Sequence, residues 1–230
     1  MIQGSLNLES LRVGVVQFPG SNCDVDCVDS LNRHYGIKSK YIWHTSSTIG
    51  DVDLIVLPGR FSFGDYFRSG ALASHSPVMQ SVKKFADAGG AVLGICNGFQ
   101  ILVETKILPG MLLHNEKLQF ICKPVFIKSQ SSRPLKIPIA HGEGRYFADQ
   151  NVLNHLEKNN LVAYRYCDEN GEVSRESNPN GSLQNIAGVY SENRKVLGMM
   201  PHPERACDLL LGGSADGKEI LDDFLKRIAL

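Results

Sequence analysis

A cysteine stands between two glycines at the end of an apolar run, in the segment Gly94-Ile95-Cys96-Asn97-Gly98-Phe99-Gln100. Later in the chain, His202 and Glu204 follow another apolar run, within Pro201-His202-Pro203-Glu204. A thiol, an imidazole and a carboxylate are what a cysteine nucleophile needs, because the histidine serves as base and the carboxylate orients the histidine. These residue types predict acyl transfer, with Cys96, His202 and Glu204 as the catalytic residues.

The glycines around Cys96 predict a sharp turn from a strand into a helix. Gly94 and Gly98 stand two residues before and after the cysteine, where they let neighbouring backbone pass without a Cβ clash. A helix that begins near Asn97 would point its free N–H groups and positive dipole end at the sulfur, which favours the thiolate and can stabilise an oxyanion. A lone cysteine would be better interpreted as a buried, inert thiol. The flanking glycines and the distant histidine and glutamate reverse that preference.

The prolines around His202 predict how its carboxylate partner is placed. Pro203 biases His202 towards an extended conformation, in which residues two apart project to the same side. Glu204 would then reach the imidazole and hold its tautomer. Taken alone, this segment is typical of a proline-rich loop with incidental charges, but its place after a strand favours the catalytic interpretation.

The composition of the 230-residue chain predicts a protein that binds neither nucleic acid nor a membrane. Its 24 Lys and Arg balance its 24 Asp and Glu, whereas a nucleic-acid binder needs a basic face. No apolar stretch approaches the ~20 residues that span a bilayer. Residues 1–10 are too weakly apolar for a signal peptide. We therefore expect a cytoplasmic protein.

The cysteines do not form a paired framework, which predicts reduced thiols in a cytosolic chain. Cys23 and Cys27 have a helical spacing that could present two thiolates to a metal, but no matching Cys or His pair follows at ligand spacing. We interpret both as packing or surface residues of a first helix, and we expect no metal site.

Short β-branched runs alternate with helical patterns along the chain. Strands are predicted over 12–18, 40–43, 53–57, 91–95, 119–128, 135–139, 161–166, 186–190 and 196–200, and helices over 24–35, around 78–85, from 97, over 149–158 and around 220–228. Continuous apolar runs are typical of a parallel sheet covered on both faces, so we expect an α/β fold with a small antiparallel excursion. Residues 1–10 form an extension of unknown role, and 11–230 are predicted to form a single domain.

The motifs resemble those of class I, triad-type glutamine amidotransferases. The segment around Cys96 matches their nucleophile motif, and His202 with Glu204 matches their His-x-Glu pair. Further segments are similar to one family among them, the glutaminase subunits of phosphoribosylformylglycinamidine synthase, which act in purine biosynthesis. These segments are Val16-Gln17-Phe18-Pro19-Gly20-Ser21-Asn22, Phe61-Ser62-Phe63-Gly64-Asp65-Tyr66, Ile139-Ala140-His141-Gly142-Glu143-Gly144-Arg145, Asn178-Pro179-Asn180-Gly181-Ser182 and Gly198-Met199-Met200-Pro201-His202-Pro203-Glu204-Arg205.

The resemblance implies a flavodoxin-like, open and mostly parallel sheet with helices on both faces. It also implies that Cys96 attacks the side-chain amide of L-glutamine to form a γ-glutamyl thioester, while His202 protonates the departing ammonia and then activates the water that releases glutamate. The backbone N–H of Asn97 and one from the Gly59-Arg60 loop would hold the oxyanion. Gln100 would contact the bound glutamine, or else serve helix packing.

The same resemblance implies partners. Ammonia would pass to a separate ATP-dependent synthetase subunit, so ATP and Mg²⁺ are expected there and no cofactor in this chain. The sequence agrees, because it has no Gly-x-x-x-x-Gly-Lys-Ser/Thr phosphate loop. A small accessory subunit is also implied. The loop 61–68 places aromatic residues and an arginine among glycines, which favours a docking role or closure over glutamine.

Two alternatives stay open on the sequence. One is a cysteine peptidase or hydrolase on a flavodoxin-like sheet. The other is a regulatory subunit of the same complex with a decayed glutaminase site. The second alternative rests on Arg60, because the family usually has a second glycine there and arginine resists the positive φ angles that glycine accepts.

Overall fold

A nine-stranded sheet forms the centre of the molecule in the computed structural model, which describes residues 8–59, 61–65 and 68–228. A separate two-stranded sheet joins β5 and β8. The strands are β1 (Val13–Gln17), β2 (Ser39–Trp43), β3 (Leu54–Leu57), β4 (Ala91–Ile95), β5 (Met111–Leu113), β6 (Ile121–Lys128), β7 (Leu135–His141), β8 (Arg145–Phe147), β9 (Val162–Cys167), β10 (Ile186–Tyr190) and β11 (Val196–Met199). The helices are α1 (Asp24–Tyr35), α2 (Ala71–Ser74), α3 (Pro77–Asp87), α4 (Asn97–Glu104), α5 (Gln150–Lys158), α6 (Leu209–Gly212) and α7 (Gly217–Ile228).

The large sheet has a parallel half and an antiparallel half. Its order is β2-β1-β3-β4-β11-β10-β9-β6-β7. The first five of these strands are parallel neighbours, and each later neighbour is antiparallel. The last strand in the chain, β11, therefore lies between β4 and β10 and joins the two halves. The expected α/β class with a mostly parallel core is confirmed, and the antiparallel extension contains four strands.

Local sequence explains where the helices begin and end. Helix α1 carries Asp24 and Asp26 in its first turn, which suits the positive end of the helix dipole, and it ends at Gly36 with a φ of 67°. Helix α5 is capped by Asp149, whose side chain accepts a hydrogen bond from the backbone N–H of Val152. These elements match the predicted ones closely because each carries its own start and stop signals.

The sheet core is covered on both faces. Every residue of β4 is buried, and successive strand side chains point to opposite faces, so both faces of this strand are packed. Helix α4 packs on β4, β3 and β11, and α1 packs on β1. The parallel strands β1, β3, β4 and β11 thus end at one edge of the sheet, where open α/β sheets bind ligands.

Several features were not predicted or lie outside the described residues. The strands of the two-stranded sheet, β5 and β8, have only three residues each, too few to show a periodicity. Of the N-terminal extension, the structure describes Leu8–Ser10, a turn of 3₁₀-helix, and residues 1–7 lie outside. Within the described ranges, every helix is too short or too polar to cross a bilayer.

Candidate active site

The turn that carries Cys96 is a strained connection between β4 and α4. Cys96 has φ 50° and ψ −103°, a conformation that residues with a Cβ rarely adopt. Its backbone N–H donates to the carbonyl of Met199 in β11 at 2.7 Å, which fixes the turn against the neighbouring strand. Helix α4 begins at the next residue, so its N-terminus lies beside the cysteine. This is the predicted elbow.

The two flanking glycines are required by close packing. A Cβ on Gly98 would lie 2.0 Å from the carbonyl oxygen of Leu57, at the end of β3. A Cβ on Gly94 would lie 2.8 Å from the carbonyl oxygen of Gly98. Side chains at either place would push α4 away from the sheet and carry Cys96 with it. The predicted reason for these glycines is therefore correct.

Gly59, which follows β3, packs between Cys96 and His202. A Cβ on Gly59 would lie 2.5 Å from Cε1 of the imidazole and 3.3 Å from the Cβ of Cys96. Cys96 and the imidazole of His202 therefore both pack against this one glycine. Its φ is outside the left-handed region, so the site needs glycine here for space. The neighbouring Arg60 lies outside the described residues, and its part in an oxyanion hole stays a prediction.

His202 and Glu204 form a buried pair just after β11. Nδ1 of the imidazole lies 2.7 Å from Oε1 of Glu204, and both side chains are only 1% exposed. The contact was predicted, and His202 itself is close to extended, with φ −102° and ψ 86°, but the backbone after it is not. Pro203, Glu204 and Arg205 form a turn of 3₁₀-helix, for which the fixed φ of Pro203 is well suited at the first position. The turn holds the carboxylate against the ring.

The electrostatics of this pair favour a charged imidazole. Burial alone would lower the pKa of His202, but the neighbouring Glu204 carboxylate and the Cys96 sulfur outweigh it, and they raise the pKa well above its ordinary value. The other ring nitrogen, Nε2, is buried and has no hydrogen-bond partner among the residues that the structure describes. It is therefore available to exchange protons with the reacting groups.

Cys23 is a neighbour of the imidazole that the sequence interpretation missed. Its Sγ lies 3.9 Å from Nδ1 of His202, and its side chain is fully buried. Burial raises the pKa of Cys23, so the group is a neutral thiol. By distance alone, Cys23, His202 and Glu204 could hold a metal ion, since their ligand atoms lie within 4.8 Å of one another. The sequence did contain one indication of this contact: Cys23 follows strand β1, whose carboxyl end lies at the same edge of the sheet as Cys96.

A cavity of about 170 Å³ lies beside Cys96. Gln100 lies in its wall, where its side-chain NH₂ donates to the carbonyl of Glu143 at 2.6 Å and its Oε1 accepts from the side chain of Asn97 at 2.8 Å. The Glu143 carboxylate accepts from the backbone N–H of Ser69 at 3.1 Å. The predicted contact residue Gln100 is thus in the cavity, and it also serves packing. Phe61, His114, Phe120 and His141 also line the cavity.

The turn at 178–182 holds the segment that follows the cavity residues 140–143. Asn180 is buried, and its side-chain NH₂ donates to the carbonyl of Gly144 at 2.8 Å. The hydroxyl of Ser182 accepts from the backbone N–H of Tyr146 at 3.0 Å. Two motifs that are far apart in the sequence therefore form one supporting structure.

Comparison with known proteins covers nearly the whole chain. Residues 10–219 match the family described as the CobB/CobQ-like glutamine amidotransferase domain. The "Phosphoribosylformylglycinamidine synthase subunit PurQ" of Salinibacter ruber is 46% identical over 232 residues, covering 96% of this chain and 98% of that protein. The protein of the same name from Thermosynechococcus vestitus is 50% identical over 233 residues, covering 94% and 97%. The chain belongs to this glutamine amidotransferase family.

Solved structures agree with that assignment. The structure of PurLQS from Thermotoga maritima contains a chain with 37% identity and a TM-score of 0.81, covering 94% of this chain and 98% of that one. A putative GMP synthase protein from Thermoplasma acidophilum is 15% identical with a TM-score of 0.62, covering 95% of this chain and 94% of that one, which shows a shared fold. The resemblance drawn from the motifs is confirmed, and membership of the family removes the peptidase alternative.

Proposed function

We propose that this chain is the glutaminase subunit of a phosphoribosylformylglycinamidine synthase, and that it releases ammonia from L-glutamine through a thioester on Cys96. The observation that carries the proposal is the packing of Gly59 between Cys96 and the buried His202–Glu204 pair. Glycine at this position leaves room for Cys96, at the end of β4, beside the imidazole and carboxylate that follow β11, and this supports the roles of nucleophile, base and orienting carboxylate.

In the first half of the reaction, the proton of the Cys96 thiol resides on His202, whose raised pKa favours the imidazolium. The thiolate attacks the carboxamide carbon of glutamine and forms a C–S bond. The backbone N–H of Asn97, at the start of α4, stabilises the oxyanion. The C–N bond then breaks while Nε2 of His202 gives its proton to the nitrogen, and ammonia leaves.

In the second half, water attacks the γ-glutamyl thioester. His202, now neutral, accepts a proton from the water, and Glu204 supports the imidazolium that forms. The C–S bond breaks, glutamate is released, and the proton on His202 restores the starting state with Cys96. Water is thus consumed once, and one glutamine gives one glutamate and one ammonia.

In this proposal the remaining site residues bind and orient the glutamine and take no part in proton transfer. Gly59 and Arg60 supply a second backbone N–H for the oxyanion, and Gln100 orients the glutamine through the cavity wall. Neither the thiolate attack nor the hydrolysis needs a cofactor in this chain. The ATP and Mg²⁺ that drive the synthetase reaction belong to the partner subunit, and the complex works in the cytoplasm.

The partner is expected to cover the mouth of the cavity. The rings of Phe61 and Phe120 are stacked with centroids 6.2 Å apart, although the two residues are 40% and 54% exposed. Exposed aromatic pairs are typical of interface centres. We propose that the synthetase subunit docks here and that a small accessory subunit completes the complex. Phe63 is a poorer probe of docking, because its ring is partly buried and packs edge-on against His44.

The decisive experiment measures glutamine turnover by this chain, alone and with its synthetase subunit, ATP and formylglycinamide ribonucleotide. Turnover that rises with the partner is expected, and Cys96→Ala should abolish it while ammonia-dependent synthesis by the complex persists. Loss of both activities in Cys96→Ala would mean that the cysteine is structural. No turnover by the unaltered complex would instead favour a decayed regulatory subunit.

A further inference from the structure

His141 is a second buried histidine in the cavity, and the mechanism above does not use it. It is the last residue of β7, it is only 2% exposed, and it lines the same cavity as Cys96. The residue before it, Ala140, places its carbonyl oxygen 3.6 Å from the sulfur of Cys96. The Nε2 of His141 is buried and lacks a hydrogen-bond partner among the residues that the structure describes. A buried polar atom without a partner in an active-site wall requires an explanation.

The hydrogen bonds of Asn115 determine which ring nitrogen carries the proton. The side-chain NH₂ of Asn115 donates to the carbonyls of Gln119 and His141, at 2.7 and 2.9 Å. Its Oδ1 accepts from the backbone N–H of Gly144 at 3.1 Å, which fixes the amide orientation. The same Oδ1 lies 3.0 Å from Nδ1 of His141, so Nδ1 must be the donor. Nε2 consequently carries a lone pair.

The surroundings keep that lone pair available. Burial, followed by the repulsion from nearby His202, lowers the pKa of His141 to about 3. The ring is also held in place, because an added Cβ on Gly144 would lie 2.2 to 2.6 Å from three of its atoms. His141 is therefore a rigid, neutral hydrogen-bond acceptor, whereas the pKa of His202 is raised. Two imidazoles with opposite pKa shifts take different roles.

We propose that Nε2 of His141 accepts a hydrogen bond from the carboxamide NH₂ of glutamine, and then from the ammonia that is released. This inference rests on the proposed glutaminase function. Only a donor can satisfy Nε2, and the reacting amide brings N–H groups to this part of the cavity. The bond turns the nitrogen lone pair towards the proton on His202. It strengthens as the nitrogen gains positive character, so it favours the transition state over bound glutamine.

The carboxamide is a better partner for His141 than the α-ammonium group of glutamine. His141 adjoins the Ala140 carbonyl that faces the Cys96 sulfur, so it lies at the reacting end of the cavity. The cavity wall also contains the carboxylate of Glu143, and an anionic acceptor suits an ammonium group better than a neutral imidazole does.

The test compares two substrates in the assembled complex: L-glutamine and L-glutamate γ-methyl ester. Both give the same thioester on Cys96, but the methanol leaving group of the ester has no N–H. In His141→Asn, the shorter amide can still donate to Asn115 but places no acceptor at the position of Nε2. In His141→Gln, the longer side chain reaches that position. Acylation is reported by kcat/KM for each substrate.

We expect His141→Asn to lower kcat/KM for glutamine by roughly 10-fold to 100-fold, because one hydrogen bond to the reacting group is lost. The kcat/KM for the ester should stay nearly unchanged. His141→Gln should recover part of the loss. Equal losses on both substrates would overturn the proposal and assign His141 a structural role. The unaltered complex must turn over glutamine in the same assay, so failure of the proposed function is seen separately.

A second measurement needs no change at His141. In the Cys96→Ala complex, glutamine binds without reacting, and the ¹⁵N resonance of Nε2 reports its hydrogen bonding. The proposal requires an unprotonated Nε2 whose resonance shifts on addition of glutamine, and shifts less with the ester. A resonance that responds equally to both ligands, or to neither, would refute the contact.

Discussion

Replacing Gly59 with alanine tests whether a single glycine keeps the proposed catalytic residues Cys96 and His202 at the correct distance from each other. The new Cβ would lie 2.5 Å from Cε1 of His202, about 0.9 Å closer than the 3.4 Å at which ordinary contact begins. The imidazole has no space to retreat, because it is fully buried and its Nδ1 is bonded to Glu204. The ring or the loop must therefore move by nearly 1 Å.

A displacement of that size costs about 100-fold in rate when it separates reacting groups, equivalent to about 2.7 kcal/mol of transition-state stabilisation. We expect kcat/KM for glutamine in the Gly59→Ala complex to fall by about this factor. Alanine keeps the backbone N–H at position 59, so the loss reports a displacement of the loop or of His202 relative to Cys96 and not a missing hydrogen-bond donor. Ammonia-dependent synthesis should be unchanged, since that reaction bypasses the glutaminase site.

Gly89→Ala is the matched control. Gly89 has a φ of 88° and no atom within 4 Å of an added Cβ, so alanine there strains the backbone by about 1 kcal/mol without a clash. It precedes β4, at the end of the strand opposite to Cys96. Thermal unfolding should show a destabilised Gly89→Ala with normal glutamine turnover. Equal kinetics for the two variants, or unchanged kcat/KM in Gly59→Ala, would refute the reasoning.

Two further predictions concern pH. Glu204→Gln removes the main charge that raises the pKa of His202, so this pKa should fall. The alkaline limb of the kcat/KM profile should then move to lower pH, and turnover should fall less than in His202→Asn. An unmoved limb would contradict this role of Glu204. Burial alone would raise the pKa of Asp216, but hydrogen bonds from Arg133 and the backbone N–H of Lys136 lower it. Asp216→Asn should therefore reduce the free energy of unfolding at pH 7, and the difference from the unaltered protein should shrink as the pH falls below 3.8, the ordinary pKa. A difference that does not depend on pH would contradict the ion-pair explanation.

Much of the fold could be predicted from local patterns. Helix α1, predicted over 24–35, is found at Asp24–Tyr35. The prediction is accurate because the apolar stripe of the helix and the glycine that ends it, Gly36, both lie within one short segment of the sequence. Strand β4 is both predicted and found at Ala91–Ile95 for the same reason. Local patterns could not predict that β11 lies between β4 and β10, because strand order is set by packing between segments that are distant in the sequence.

The sequence by itself determined the three proposed catalytic residues, because Cys96 with its glycines and the pair His202 and Glu204 are short-range patterns with specific chemistry. The tertiary structure decided which other groups meet them. It placed the Cys23 thiol 3.9 Å from the imidazole, and among the described residues it left the Nε2 of His141 buried without a partner beside the cavity. Such contacts join residues from different strand ends, and the spacing of residues along the chain does not encode which of them touch. They arise because parallel strands bring their carboxyl ends to one edge, where each following loop must share the same small space.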